Sequence, residues 1–394
     1  MSTTHTAMKT ADIIILGAGV MGASLAFHLA KRKPGRVVVI DKDFAGQGAS
    51  GRSSALIRMH YSFAAEVQLA VKSLEIFQNW KEIVGAPGDF RKTGFVRIVP
   101  ASEMDHLKAN VAMQREFGVN TRLINADELK QIEPDWNVED IEVAAYEPDS
   151  GYGDGAGVAN GFLDAAREKG VTYLPRTAVT SLLVKGDKVR GVRTEKGEIS
   201  APVVVAAIGQ WSVALFKEIG IPLPLQAELH EVAILKNPEG MKGGGCACID
   251  SICNVYFRSD GQDKTLVGGF HGKRGVDPDN FPQHATEESL AEMAKEACRR
   301  VPALQHAGVM RGITGVYDMS PDARPLLGEV DGIDGLHIVA GFSGMGFKIS
   351  PAVGLVMSEL LLDGRASTVD IRAFRPSRFA EGQPIKAPYE SRDD

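Results

Sequence analysis

Ile13-Ile14-Ile15-Leu16-Gly17-Ala18-Gly19-Val20-Met21-Gly22 decides the fold. Four apolar residues in a row predict a strand buried on both faces of a parallel sheet, and Gly17 ends it. Over residues 20–33 the apolar Leu25 and Leu29 recur beside small Ala26 and Ala30, a helical pattern that Pro34-Gly35 stops. Residues 37–40 form a second continuous apolar run and complete a β-α-β unit. Inside it, Gly17, Gly19 and Gly22 have dinucleotide-binding spacing. Gly17 permits a tight turn, Gly19 lets the backbone approach a pyrophosphate, and Gly22 lets helix and strand pack closely. The pyrophosphate is expected on the free N–H groups that begin the helix, around Val20 and Met21, where the dipole favours negative charge. Asp41, followed by Lys42, ends the second strand and is placed to accept hydrogen bonds from ribose hydroxyls. A glycine turn without a ligand is the bland alternative, and the strand-turn-helix setting weighs against it.

Working outward, residues 162–169 read as a helix, and residues 171–174, 179–184 and 203–207 read as strands that resume the doubly wound pattern. Residues 85–147 and 221–312 are richer in charges, turns and alternating strands such as 232–235 and 265–270. The predicted fold class is α/β: a Rossmann-type dinucleotide-binding domain of residues 1–84, 148–220 and 313–394, with a discontinuous second domain, residues 85–147 and 221–312, on a mainly antiparallel sheet that binds substrate. The tail returns to the first domain with a strand at 336–340 and a helix at 351–362, Ser350 being read as its N-cap and Pro351 as its first residue. Beyond Arg375 a surface extension is expected.

The choice of FAD rests on three later segments. Gly48-Ala49-Ser50-Gly51-Arg52-Ser53-Ser54 is a small, hydroxyl-rich loop able to bond phosphates and lie under a flat ring system. The strand at 203–207 runs into Ala207-Ile208-Gly209-Gln210-Trp211, and Val179 opens another strand assigned to the cofactor site. Gly341-Phe342-Ser343-Gly344-Met345-Gly346-Phe347-Lys348 is a second glycine-rich strand-to-helix junction. A nicotinamide enzyme has no need of it. A flavin does, because its reduced form carries negative charge near N1 and C2=O, which a helix N-terminus stabilises. An NAD-dependent dehydrogenase is the runner-up on the N-terminal motif alone.

At 394 residues the chain suits two packed domains, and 44% hydrophobic with 24% charged residues is the composition of a globular protein. The 44 Lys+Arg against 50 Asp+Glu are scattered and leave a formal charge of -6, which argues against a nucleic-acid or membrane-surface partner and for a small one. No apolar run reaches membrane-spanning length. Cys246, Cys248 and Cys253 match no common zinc spacing, so no metal is expected. With Cys298 the four cysteines make no disulfide framework, and residues 1–11 lack an apolar core, which together predict a reduced, cytoplasmic protein.

Pro321-Asp322-Ala323-Arg324-Pro325-Leu326-Leu327-Gly328, followed by the second glycine-rich loop, resembles the D-amino-acid oxidase superfamily of FAD enzymes. Within it the likeness is to sarcosine oxidases, glycine oxidases and dimethylglycine dehydrogenases, and it runs from Asp12 to about Gly364. The resemblance implies that Arg58 and Lys348 hold a substrate carboxylate, that Tyr256 and His271 line the same pocket, and that His60 and Tyr61 form its wall. Two cations at one pocket suit this role, because charge-assisted bonds fix the neighbouring amine carbon over a flavin. The implied reaction oxidises the C–N bond of a small secondary or tertiary amino acid, such as sarcosine, dimethylglycine, proline or iminodiacetate. Hydride passes to flavin N5, the resulting imine is hydrolysed, and electrons go to O2, giving H2O2, or to a protein or quinone acceptor. A catalytic subunit of a hetero-oligomeric amine or proline dehydrogenase is the alternative, and a non-catalytic FAD scaffold leaves Arg58, Lys348, Tyr256 and His271 without a reason to occur together. There are three departures from the branch. Gly315 stands where monomeric sarcosine oxidases attach flavin through cysteine, and residues 150–158 hold no histidine, so the FAD is expected to be non-covalent. Met345 replaces a common histidine. Val267 stands where oxidases have a lysine that promotes reaction with oxygen, which points towards a dehydrogenase.

Overall fold

Ile14 and Ile15 are wholly buried, as a strand must be when both faces of its sheet are covered. The computed structural model describes residues 9–387 apart from 242 and 244; the ends 1–8 and 388–394, assigned above to the first domain, lie outside the described residues. Ile13–Leu16 is the centre of a six-stranded sheet ordered Leu326–Glu329, Leu336–Ala340, Val203–Ala206, Ile13–Leu16, Val37–Ile40 and Thr172–Leu174. Only the first pair is antiparallel. Helices Val20–Arg32, Ala64–Gln78, Gly155–Glu168 and Gly346–Asp363 cover one face through the largest apolar cluster. The close contact of the first turn depends on two glycines: Gly17 has φ 95, and a Cβ on Gly22 would lie 1.9 Å from the Gly17 carbonyl oxygen.

The other face is covered differently from the sequence reading. Val179–Lys185 is a strand, but it pairs with Lys188–Thr194 and Gly197–Ser200 in a separate antiparallel sheet of three strands instead of extending the parallel one. The cause is local. Gly186 at φ 63 turns the chain straight back on itself, and the exposed residues alternate with those that join Leu215 and Phe216 in a second core.

A small sheet of Leu56–Ile57, Gly151–Gly153 and Phe90–Lys92 and a nine-stranded sheet complete the strand architecture of the described residues, and the latter is the larger. Its order is Lys273–Arg274, Gln226–Lys236, Lys264–Gly269, Val255–Ser259, Ala247–Asp250, Phe95–Ile98, Ala144–Glu147 and Arg122–Ile124, with Gly308–Met319 paired along Gln226–Lys236. All its pairings are antiparallel except Ala247–Asp250 with Phe95–Ile98. Helix Glu287–Arg300 packs on one face through Met293 and Ala297.

Two further expectations change near the C-terminus. The last long helix starts at Gly346, so Pro351 lies inside it. An internal proline leaves the carbonyl four residues back without its N–H donor. Here the Ser350 hydroxyl donates to that oxygen, on Phe347, at 2.8 Å. Past Arg375 the surface extension is anchored at one point: residues 380–384 are exposed, but Arg378 is fully buried and forks onto Asp322 at 2.8 and 2.9 Å while also donating to the Arg324 carbonyl. No helix among the described residues is long and apolar enough to cross a membrane.

Candidate active site

The two glycine-rich junctions face one cavity of about 650 Å³. At its first end the helix beginning at Val20 points its N-terminus inward, and the Val20 N–H donates to the Ser50 hydroxyl at 3.1 Å. A Cβ on Gly19 would sit 3.0 Å from that hydroxyl, so the glycine keeps the approach to the helix open. Asp41 accepts the Ala18 N–H at 2.6 Å and the Asp43 N–H at 2.8 Å, one on each oxygen. Each oxygen keeps a lone pair for a ribose hydroxyl. Burial is the main cause that raises the Asp41 carboxyl above its usual range.

At the far end, Asp318 fixes the second junction. Its carboxylate accepts the Gly341 N–H at 2.6 Å and its carbonyl accepts the Ser343 N–H at 3.2 Å. Burial pushes its carboxyl up to about 6. Gly344, at φ 88, passes so close to the Tyr317 ring that a Cβ would meet it at 2.7 Å. The helix then begins at Gly346, which also lines the cavity.

An open helix N-terminus, a carboxylate with free lone pairs beside it and a second helix N-terminus on the same cavity fit the parts of FAD. The DAO family, described as FAD dependent oxidoreductase, matches residues 12–360. This chain belongs to the DAO family. As a DAO member it is an FAD-dependent oxidoreductase, and FAD is the cofactor. Sarcosine dehydrogenase, mitochondrial, of Mus musculus is 25% identical over 94% of this chain and 42% of its own length. This chain thus spans less than half of that relative. Sarcosine oxidase subunit beta of Rhodobacter capsulatus is 25% identical over 96% of this chain and 90% of its own length. Among solved structures, L-proline dehydrogenase from P. horikoshii superposes with a TM-score of 0.89 at 28% identity, covering 96% of this chain and all of that one.

Of the residues proposed from sequence for FAD, Gly17, Gly19, Val20, Met21, Asp41, Lys42, Ser50, Arg52 and Ser53 border the DAO cavity from the N-terminal side. Val179, Ala207, Gly209, Trp211, Gly344, Gly346 and Phe347 border it from the rest of the chain. Gly22, Ser54, Gly341, Met345 and Lys348 are not on that lining. Gly22 packs on the Gly17 carbonyl, the Ser54 carbonyl accepts from Arg258, and Gly341 is held by Asp318. Sequence reasoning missed Thr177, Asp279, Gln283, Tyr317 and Asp318, all on the lining. Asp279 and Gln283 belong to a loop at 275–286 that closes over the cavity from the large sheet. Lys42 and the Trp211 indole N–H both donate to Asp279, at 2.5 and 2.8 Å, and Arg52 donates to Gln283 at 2.7 Å.

The residues proposed for substrate divide. Lys348 lies buried in the first turn of the helix Gly346–Asp363, which packs on the strand Leu56–Ile57 that delivers Arg58. The Arg58 guanidinium is 4.4 Å from the Tyr61 ring centre, and its Nε and Nη1 are buried without a hydrogen-bond partner among the described residues. Burial, then the neighbouring charge of Arg58, hold the Lys348 ammonium well below the usual lysine range. Tyr256 is buried and hydrogen-bonded to Tyr317, and burial pushes its hydroxyl well up. His60 and Tyr61 are buried beside Arg58 in the chain. His271 is exposed instead, near His230.

The three departures have structural settings too. Gly315 pairs with His230, and a Cβ there would approach Arg52 Cβ at 3.2 Å. Met345 is buried in the main core. Val267 joins Phe257 and Trp136 in the third core, whereas Tyr256 and Leu266 belong to the cluster on the other face of that sheet. Its side chain therefore serves packing. The cysteines are free, with Cys246, Cys248 and Cys253 buried, and no group of three metal-ligating residues occurs among the described residues.

Proposed function

We propose that this chain oxidises the C–N bond of a small amino acid bearing a secondary or tertiary amine. The observation that carries the reading is the pair of buried cations, Arg58 and Lys348, beside the second glycine-rich junction, one with two unpartnered nitrogens. A buried guanidinium with two nitrogens free of hydrogen bonds calls for an anionic acceptor. A substrate carboxylate supplies it, and its charge also favours protonated Lys348, which burial alone disfavours. Arg58 and Lys348 bind and orient the carboxylate, so that the carbon bearing the amine is fixed relative to the cofactor. Bound FAD supplies the hydride acceptor. Tyr256, hydrogen-bonded to Tyr317 on the cavity lining, is assigned to the substrate pocket, and its burial excludes bulk water. A neutral amine requires no general base, and His60 is the buried imidazole nearest in sequence to Arg58.

The names of the relatives support sarcosine, dimethylglycine, proline or iminodiacetate as substrate. The acceptor is O2 or a protein or quinone. We assign residues 85–147 and 221–312 to a substrate domain, and we propose that FAD is held without a covalent bond, since glycine occupies position 315. A second reading, the FAD subunit of a hetero-oligomeric amine or proline dehydrogenase, is favoured by the near full-length likeness to a sarcosine oxidase subunit beta. Anaerobic mixing of the purified protein with sarcosine, dimethylglycine, L-proline and iminodiacetate tests both. Bleaching of the flavin bands by at least one of them is expected, and bleaching by none overturns the proposal. Gel filtration and oxygen uptake on the isolated chain separate the two readings.

A further inference from the structure

Arg58 follows a strand too short to hold it. Leu56 and Ile57 pair with Tyr152 and Gly151, and the pairing stops there. The next segment, Arg58-Met59-His60-Tyr61, is buried, so its backbone groups need partners. A carboxylate provides one. The Met59 N–H donates to Glu147 Oε2 at 2.9 Å, and the Ser150 hydroxyl donates to the same oxygen at 2.6 Å. Glu147 and Ser150 are fully buried. A neutral carbonyl would meet the same need without burying a charge. The charge has a second use: Glu147 Oε1 has no hydrogen-bond partner among the described residues, and neither have Arg58 Nε and Nη1. Glu147 ends a strand that pairs with Phe95, and the Phe95 ring lies 6.0 Å from the Arg58 guanidinium.

We propose that Glu147 is the positioning residue for Arg58. It pins the turn at Met59 that aims the guanidinium, and it supplies a nearby counter-charge whose bonds go to Met59 and Ser150, leaving Arg58 free for a substrate carboxylate. This rests on the reading of Arg58 given under Proposed function. Arg58 is among the groups that favour the ionised form of Glu147, against the burial that raises its carboxyl.

Glu147→Gln keeps the volume and an acceptor for Met59 while removing the charge, and Ser150→Ala removes only the hydroxyl. Each is compared with the native FAD-loaded protein, using whichever of sarcosine, dimethylglycine, L-proline and iminodiacetate bleaches the native flavin. Because a misaimed Arg58 weakens carboxylate binding equally in ground and transition states, Glu147→Gln should raise KM about tenfold and leave kcat within about twofold. Ser150→Ala should raise KM by a smaller factor. FAD affinity should stay at the native value in both. An unchanged KM in FAD-loaded Glu147→Gln overturns the assignment, as does a loss of FAD affinity in step with KM, which is what a purely structural role gives. If Glu147→Gln does not fold, an unchanged KM in Ser150→Ala overturns it. A native flavin bleached by none of the four removes the premise and the inference with it, whereas native bleaching with an unmoved KM sinks the inference alone.

Discussion

The Lys348 ammonium lies 3.4 Å from the carbonyl oxygen of Gly344, so the side chain folds back onto the turn from which its own helix departs. The contact is long for a hydrogen bond and leaves the ammonium weakly held. Replacing Lys348 by Met should therefore leave the loop and the flavin in place while removing one charged contact to substrate. Loss of such a contact is worth about 1.5–3 kcal/mol, which corresponds to a rise in KM of about tenfold to a hundredfold. Steady-state kinetics with unchanged KM would exclude Lys348 from carboxylate binding.

The same lysine gives a pH dependence. Burial and Arg58 lower its proton affinity in the free protein, and a bound carboxylate raises it again. Between the two values substrate binding takes up a proton, so native KM should rise with pH. Lys348→Met should lose that slope. A KM profile that is the same in both proteins would show that Lys348 is not the titrating group.

Asp318 titrates in the opposite sense to a salt-bridged carboxylate. Its proton affinity is raised in the folded protein to about 6 from a value of 3.8. A raised carboxyl adds stability below its unfolded value, and that contribution is lost as pH climbs through the folded one. The melting temperature of the native protein should thus fall from pH 4 to pH 7 relative to Asp318→Asn, which keeps an acceptor for Gly341 and cannot ionise. Parallel melting curves across that range would count against the assignment.

Gly344 combines φ 88 with a Cβ position 2.7 Å from the Tyr317 ring. Gly344→Ala should destabilise the junction by more than about 1 kcal/mol, and FAD affinity should drop with it. Flavin titration of the apoprotein measures this, and native affinity in the variant would mean that the ring yields without cost.

The loop at 275–286 is tied down by Lys42 and Trp211 on Asp279. Exposed ion pairs are weak, worth up to about 1 kcal/mol, so Asp279→Ala should speed FAD release by about twofold to fivefold. High salt should narrow the difference from the native protein, because the pair is screened. Equal release rates at low salt would show that the loop does not restrain the cofactor.

Acid precipitation should release all of the flavin. Colour that stays in the pellet would mean a covalent link that neither Gly315 nor residues 150–158 suggest.

What was legible in the sequence was what local sterics decide. Strands Ile13–Leu16, Val37–Ile40 and Leu336–Ala340 were readable to the residue because apolar runs end at glycine or a charged turn. Strand Val179–Lys185 was visible, but its sheet was not, since pairing depends on the turn at Gly186. Pro351 misled because a proline commonly starts a helix, and its repair by the Ser350 hydroxyl needs three-dimensional geometry. Of the residues that line the cavity, Gly17, Gly19 and Asp41 were legible from spacing alone. Asp279 and Gln283 were not, because they reach the cavity from a loop more than two hundred residues from Lys42 and Arg52. Asp318 carried a signal that went unused: it stands three residues before the Pro321–Gly328 stretch that carries the family resemblance, and its carboxylate accepts the Gly341 N–H.

The burial of Arg378 reaches further than its place in the chain suggests. It holds Asp322 and the Arg324 carbonyl, and Arg324 is paired with Glu66 at 2.9 Å, on the helix Ala64–Gln78. Glu66 is in turn among the charges felt by Lys348. A protein cut just before Arg378 for expression or crystallisation would strip the Asp322 carboxylate of its cation, and, with Lys348 proposed as a substrate contact, weaker substrate capture is the expected outcome. Anyone choosing where to end a recombinant version should leave that arginine in.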